Sequence, residues 1–137
     1  MVFMPMNIET TPWVWLVDDD SDDQLLIKSA FRQSNPTVTV HTIDDGDQLL
    51  SQLNRAVPLP KLVLLDLNMA RMGGLETLKA VRLAMPDVQI PIVILTTSSN
   101  KNDHAEAMEQ GANAFFSKPS EYGKLVELTK ELTAQWL

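Results

Sequence analysis

Lys61-Leu62-Val63-Leu64-Leu65 leads without an apolar break into Asp66-Leu67-Asn68. A carboxylate placed where a buried strand emerges keeps its charge out of the core, and open parallel sheets bind ligands just beyond the carboxyl ends of their strands. Three other apolar runs end on polar side chains in the same way. Trp13-Val14-Trp15-Leu16-Val17 meets Asp18 and Asp19, Ile90-Pro91-Ile92-Val93-Ile94-Leu95 meets Thr96, and Ala114-Phe115-Phe116-Ser117 meets Lys118. As neighbouring parallel strands, these runs would gather three carboxylates, a hydroxyl and an ammonium on one sheet edge. Three close carboxylates repel one another, and one lysine cannot neutralise them. An all-oxygen set with room for water suits a divalent cation, Mg²⁺ above all. Metal, ammonium and hydroxyl together would suit a phosphoryl group on Asp66, the cations balancing its charge and Thr96 donating to an oxygen.

The elements that must position these residues alternate. Unbroken apolar runs predict strands buried on both faces around residues 13–17, 62–65, 90–95 and 114–117. Val38-Thr39-Val40-His41 alternates apolar with polar and predicts a half-exposed edge strand. Between the runs lie helical spacings: Leu26, Ile27, Ala30 and Phe31; then Leu49, Leu50, Leu53, Ala56 and Val57; then Leu75, Leu78, Val81 or Arg82, and Met85. Two more follow, a sparse one with Ala105, Ala107 and Met108 closed by Gly111, and a last one with Tyr122, Leu125, Leu128, Leu132 and Trp136. Five strands alternating with five helices predict a flavodoxin-like, doubly wound α/β fold with strand order 2-1-3-4-5. Residues 1–12 show no period and are expected to form a flexible N-terminal extension, leaving residues 13–137 as one domain.

Composition narrows the function. A net charge of −7 disfavours direct nucleic-acid binding, since phosphate backbones demand clustered lysine and arginine. Without cysteine, disulfides and thiolate metal sites are excluded. No apolar stretch approaches the ~18 residues of a membrane span. The start lacks the basic region of a secretory signal, and a cytoplasmic location is expected.

Val17-Asp18-Asp19, Leu65-Asp66-Leu67-Asn68-Met69, Leu95-Thr96 and Ser117-Lys118-Pro119 stand in the order and spacing of the receiver domains of two-component response regulators, and the chain resembles them over residues 13–136. That resemblance implies roles. Asp66 would be the phosphoacceptor, Asp19 a direct Mg²⁺ ligand, Asp18 a ligand through water, and Asn68 the residue lending its main-chain carbonyl. Thr96 and Phe115 would form the switch pair, Lys118 would bind the phosphoryl group, and Thr97 and Ser98 would modulate access to it. The family's partners are a histidine kinase or histidine phosphotransfer domain upstream and a protein target downstream. Self-association through the fourth helix, fifth strand and fifth helix is a further expectation. The protein would catalyse its own phosphoryl transfer and dephosphorylation without turning over an external substrate. The lack of an output segment after the fifth helix resembles a stand-alone receiver, and the acidic run after Val17 more loosely resembles small receivers of phytochrome-type kinases.

Ala70 where the family favours proline, and Gly73-Gly74 where Asp-Gly is commoner, predict a mobile loop after Asp66. Asp20, Asp22 and Asp23 read as solvated charges at a helix start, and His41 and His104 as unrelated surface residues. Trp13, Trp15 and Trp136 read as core or rim aromatics. A flavin carrier of the same topology would need a hydroxyl- and glycine-rich phosphate loop where this chain has aspartates. A phosphatase of the haloacid-dehalogenase type would need an acid at position 68, where Asn68 stands. A degenerate receiver that binds proteins without phosphorylation is the alternative, opposed by the intact Asp19, Asp66, Thr96 and Lys118.

Overall fold

Strands buried on both faces fix the architecture. In the computed structural model, which describes residues 13–56, 58–98 and 100–137, β1 (Trp13–Val17), β3 (Leu62–Leu65) and β4 (Ile92–Thr96) form the centre of a five-stranded sheet. β2 (Thr39–Ile43) and β5 (Ala114–Ser117) are its edges, all pairings are parallel, and the order is 2-1-3-4-5. The expected N-terminal extension and Val57 fall outside the described residues.

Because side chains alternate across a strand, each central strand feeds two cores. Val14, Leu16, Leu62, Leu64, Val93 and Leu95 pack under α1 (Ser21–Ser34) and α5 (Tyr122–Trp136). Trp15, Val17, Val63, Leu65, Ile92 and Ile94 pack under α2 (Gly46–Leu53), α3 (Gly74–Ala84) and α4 (Lys101–Glu109). Each fully buried aliphatic side chain contributes about 1.5–3 kcal/mol, so this two-sided sheet is the main source of stability. It also forces the carboxyl ends of β1, β3, β4 and β5 onto one edge.

Several helix faces differ from the periodicity. The buried face of α1 is Ile27, Ala30 and Phe31, and Leu26, a step of 100° round the helix from Ile27, is 47% exposed. The second helix ends at Leu53; Ala56 packs on the core from the following turn. On α4 only Ala107 is buried; Ala105 faces solvent and Met108 is 41% exposed. That helix is held at its C-terminal end, where Gly111 takes φ +106° and Arg82 of α3 donates to its carbonyl from both Nε and Nη2.

Two glycines separate necessity from tolerance. A Cβ on Gly74 would lie 2.3 Å from the Asp66 carbonyl oxygen and 2.7 Å from the Leu67 Cα, backbone that cannot step aside. On Gly123, in the first turn of α5, a Cβ meets nothing within 4 Å. Gly74→Ala should therefore cost about 1–3 kcal/mol in denaturant unfolding, whereas Gly123→Ala should add about 0.5–1 kcal/mol. Equal effects would show that the close approach of α3 to the Asp66 backbone is not needed.

Candidate functional site: an acidic cluster around Lys118

Strand ends deliver Asp18, Asp66, Thr96 and Lys118. The Asp66 N–H donates to the Val17 carbonyl at 3.0 Å, and the Lys118 N–H to the Thr96 carbonyl at 2.8 Å, so the ladder continues one step beyond the strands and locks their termini together. Asp18 is fully buried, Asp66 nearly so, and Asp19 is exposed. Carboxylate oxygens of all three lie within 4.8 Å of one another. Oxygen donors this close, open to solvent on the Asp19 side, fit a hard divalent cation such as Mg²⁺.

Lys118 crosses the cluster. Its Nζ donates to Asp18 Oδ2 at 2.7 Å, to Asp23 Oδ2 at 2.7 Å and to Asp66 Oδ2 at 3.3 Å. Burial disfavours its charge, but the hydrogen bonds and the fields of these carboxylates win and hold the ammonium well above the ordinary lysine pKa. Asp18 shows the opposite balance. Burial raises its pKa, against the Lys118 hydrogen bond and the Asp20 N–H that its Oδ1 accepts at 2.9 Å. Three carboxylates thus share one ammonium, with Asp19 beside two of them, and the site keeps an excess of negative charge.

Asp23, which its place at a helix start predicts to be a solvated charge, instead pairs with Lys118. Asp20 is the N-cap of α1 and accepts the N–H groups of Asp22 and Asp23. Asp23 therefore occupies the third helical position, where an acid ordinarily folds back on its own cap. Here it reaches instead to a lysine 95 residues away in sequence, a partner no local pattern can reveal.

The loop after Asp66 corrects a second expectation. It is tethered rather than loose: Asp19 Oδ2 accepts the Ala70 N–H at 2.9 Å, and Asp45 accepts those of Arg71 at 3.1 Å and Met72 at 3.0 Å. Asp45 is buried, caps α2 through the Asp47 N–H, and so joins two loops with one carboxylate. The grip of Asp45 on the neighbouring loop has no signal in the local sequence.

Other expected site residues divide. Thr96 is fully buried at the end of β4, and its Oγ1 accepts the Ser98 N–H at 3.3 Å, leaving its own hydrogen to give. Asn68 is exposed, with its N–H on Asp66 Oδ1 at 3.3 Å. Thr97 faces solvent, and the Ser98 hydroxyl donates to Asp103 of α4 at 2.9 Å rather than entering the acidic cluster. Phe115 is half-buried and stacks on His104, ring centroids 4.6 Å apart at 11°. The two line a cavity of about 300 Å³ with Ser98, Asn100, Lys101 and Ser117. His104 is thus exposed yet engaged, and His41 likewise packs edge-on against Trp15 and bonds Gln52.

An acidic cluster bridged by a lysine at the carboxyl edge of a 2-1-3-4-5 sheet defines a flavodoxin-like domain with a set of carboxylates that could hold a cation. Residues 14–130 match the response regulator receiver domain, and the chain belongs to that family. It is 29% identical to the response regulator Rcp1 of Synechocystis over 96% of this chain and 95% of that protein. The phosphorylated cyanobacterial phytochrome response regulator RcpA superposes with a TM-score of 0.84 at 27% identity, covering 93% of this chain and 94% of that one. The Mn²⁺-bound form of Rcp1 superposes at 0.80 with 27% identity, covering 92% and 94%. Among the described residues, no helix is long and apolar enough to cross a membrane.

Asp45 provides a test of the tethered loop. Burial opposes its ionisation, but the N–H groups of Asp47, Arg71 and Met72 and the Arg71 charge outweigh that and lower its pKa. A lowered carboxyl pKa means stability that is present above about pH 4 and lost as pH falls through the folded-state value. Asp45→Ala should cost about 2–3 kcal/mol at pH 7. The gap from the parent should narrow as unfolding is measured at successively lower pH below about 4. A gap that stays constant through that range would show that the ionised carboxylate is not what holds the loop.

Proposed function

We propose that the chain is a phosphorylatable receiver of a histidine-to-aspartate phosphorelay, taking its phosphoryl group on Asp66. The observation that carries the reading is the Lys118 ammonium suspended between Asp66 and the carboxylates of Asp18 and Asp23, beside three carboxylate oxygens within 4.8 Å. Family membership and the Mn²⁺-bound relative support it.

In the proposed transfer, an Asp66 carboxylate oxygen attacks the phosphorus of a phosphohistidine on a kinase or phosphotransfer domain. A P–O bond forms as the P–N bond breaks, and the electron pair leaves with the imidazole nitrogen. Asp19, Asp66 and the Asn68 carbonyl would ligate Mg²⁺ directly, and Asp18 through water. The bound cation supplies Lewis-acid neutralisation of the transferring oxygens. Lys118 would stabilise the same oxygens with its ammonium, and the buried Asp66 keeps bulk water off the attacking atom. Hydrolysis of the acyl phosphate resets the site, so the protein acts on itself and turns over no external substrate.

The response follows from charge. The acyl phosphate carries roughly −2 where the Asp66 carboxylate carried −1, and sets its oxygens next to Thr96, whose free hydroxyl hydrogen turns inward to donate. Phe115 then leaves His104 and rotates toward the space vacated, giving up a stacking energy of about 0.5–1.5 kcal/mol. The surface of α4, β5 and α5 changes, and a protein target or a second copy of the chain binds there. On this reading the upstream partner is a histidine kinase, of the phytochrome type by likeness to RcpA, and the chain acts in the cytoplasm without contacting nucleic acid.

Incubation with a small-molecule phosphodonor and Mg²⁺, followed by intact mass, tests the centre of the reading. The parent should gain one phosphoryl group and Asp66→Asn none. Labelling of Asp66→Asn to the parent's extent would overturn it, and an unlabelled parent that still binds a target would favour the degenerate, phosphorylation-independent module. Asp19→Asn should weaken Mg²⁺ binding at least about tenfold. Thr96→Ala should take up label yet lose the phosphorylation-dependent change in Phe115, read by side-chain NMR.

A further inference from the structure

The contacts of Lys118 are unequal in a way the transfer mechanism does not use. Its ammonium has three hydrogens, and the two shortest contacts, 2.7 Å each, go to Asp18 and Asp23. The phosphoacceptor receives the longest, at 3.3 Å. We propose that Asp23 is a positioning residue that competes with Asp66 for the Lys118 ammonium, and so sets how readily Asp66 accepts and keeps a phosphoryl group. The inference rests on the receiver reading of Asp66.

Burial identifies which contact can be given up. The Asp18 and Asp66 side chains are 1% and 7% exposed, whereas that of Asp23 is 31% exposed. Releasing Asp18 would strand a carboxylate in the core, a large cost. Releasing Asp23 returns a carboxylate to water at little cost. A phosphoryl group on Asp66 raises the local charge from about −1 to about −2 and adds several strong acceptors, and the bond surrendered to it is the solvent-side one.

Competition is distinguishable from simple tethering. Lys118 keeps other restraints without Asp23: its own N–H is fixed on the Thr96 carbonyl at 2.8 Å, Pro119 follows it, and Asp18 still pairs with Nζ. Removing Asp23 therefore leaves an ammonium that closes on Asp66 instead of one that wanders. If Asp23 only tied α1 to the loop after β5, its removal would loosen Lys118 and weaken every ligand of the site. Asp22 supplies the control for net charge, because it is exposed on the same helical turn.

The test compares the parent, Asp23→Asn, Asp22→Asn and Asp23→Glu by tryptophan fluorescence, using Mg²⁺ alone and then beryllofluoride at saturating Mg²⁺ as the phosphoryl mimic. For beryllofluoride, Asp23→Asn should lower the midpoint about threefold to fivefold, with Asp22→Asn within about twofold of the parent, the size expected for a partly exposed ion pair. For Mg²⁺ alone the sign reverses. The freed ammonium holds Asp18 and Asp66 more tightly against the incoming cation, so Asp23→Asn should bind Mg²⁺ more weakly than Asp22→Asn does. Asp23→Glu, which keeps the carboxylate, should stay near the parent in both titrations. A beryllofluoride midpoint for Asp23→Asn equal to that of Asp22→Asn, or above the parent's, overturns the proposal. Failure of the parent to respond to beryllofluoride or to label on Asp66 would instead defeat the receiver reading, and the Mg²⁺ titrations would still decide whether Asp23 controls Lys118.

Discussion

The ammonium of Lys118 among the carboxylates of Asp18, Asp23 and Asp66 is the interaction on which the site depends. A fully buried Asp18 beside a nearly buried Asp66 is an arrangement that burial and repulsion both oppose. The lysine makes it tenable by offering a hydrogen to each. One positive charge still leaves the cluster with excess negative charge, a field that suits a divalent cation.

Holding that cluster in register requires more than the sheet. The strand ends fix Asp18, Asp66, Thr96 and Lys118 through ladder hydrogen bonds, but the loops carrying Asp19 and Asn68 leave the ladder. Two carboxylates take over there. Asp19 holds the Ala70 N–H, and Asp45 holds those of Arg71 and Met72 while capping α2. The packing permits this only because Gly46 and Gly74 lack side chains: a Cβ on Gly46 would run into Thr77 Oγ1 at 1.8 Å. Acidic residues thus serve in two ways within a short distance, some structural and saturated by backbone donors, others left with free lone pairs for a metal or phosphoryl group.

The parts of the fold that rest on continuous apolar runs were legible in the sequence. β3 spans Leu62–Leu65 as the uninterrupted run implied, and the half-polar β2 lies at the edge. The convergence of Asp18, Asp19, Asp66 and Lys118 followed because a parallel sheet puts all carboxyl ends on one side. What could not be read were choices made by partners distant in sequence. Asp23 resembles any acid in the first turn of a helix, and Asp45 any turn former, until the loops that approach them are known. Amphipathic spacing also overstated burial on α4, because periodicity reports which residues share a face but not whether another element covers it. The loop after Asp66 differs for the same reason: Ala70, Gly73 and Gly74 describe backbone freedom in isolation, and the bonds that its N–H groups donate to Asp19 and Asp45 tether it.

The weak anchoring of α4 gives the proposed switch a plausible energy scale. One buried side chain, Ala107, contributes far less than Leu78 and Val81 of α3 or Leu125, Val126, Leu128 and Leu132 of α5. Its two ends are fixed instead by polar contacts, Ser98 to Asp103 at the N-terminus and Arg82 to the Gly111 carbonyl at the C-terminus. Polar contacts at a surface are worth about 1 kcal/mol each, and so is the stack of His104 on Phe115. A rearrangement of α4 and Phe115 therefore competes against a few kcal/mol. A dianion placed beside Thr96 in a partly buried site supplies energy of that order. If α4 carried a full apolar face, the same charge would be too weak to move it, and phosphorylation would change the site without changing the surface.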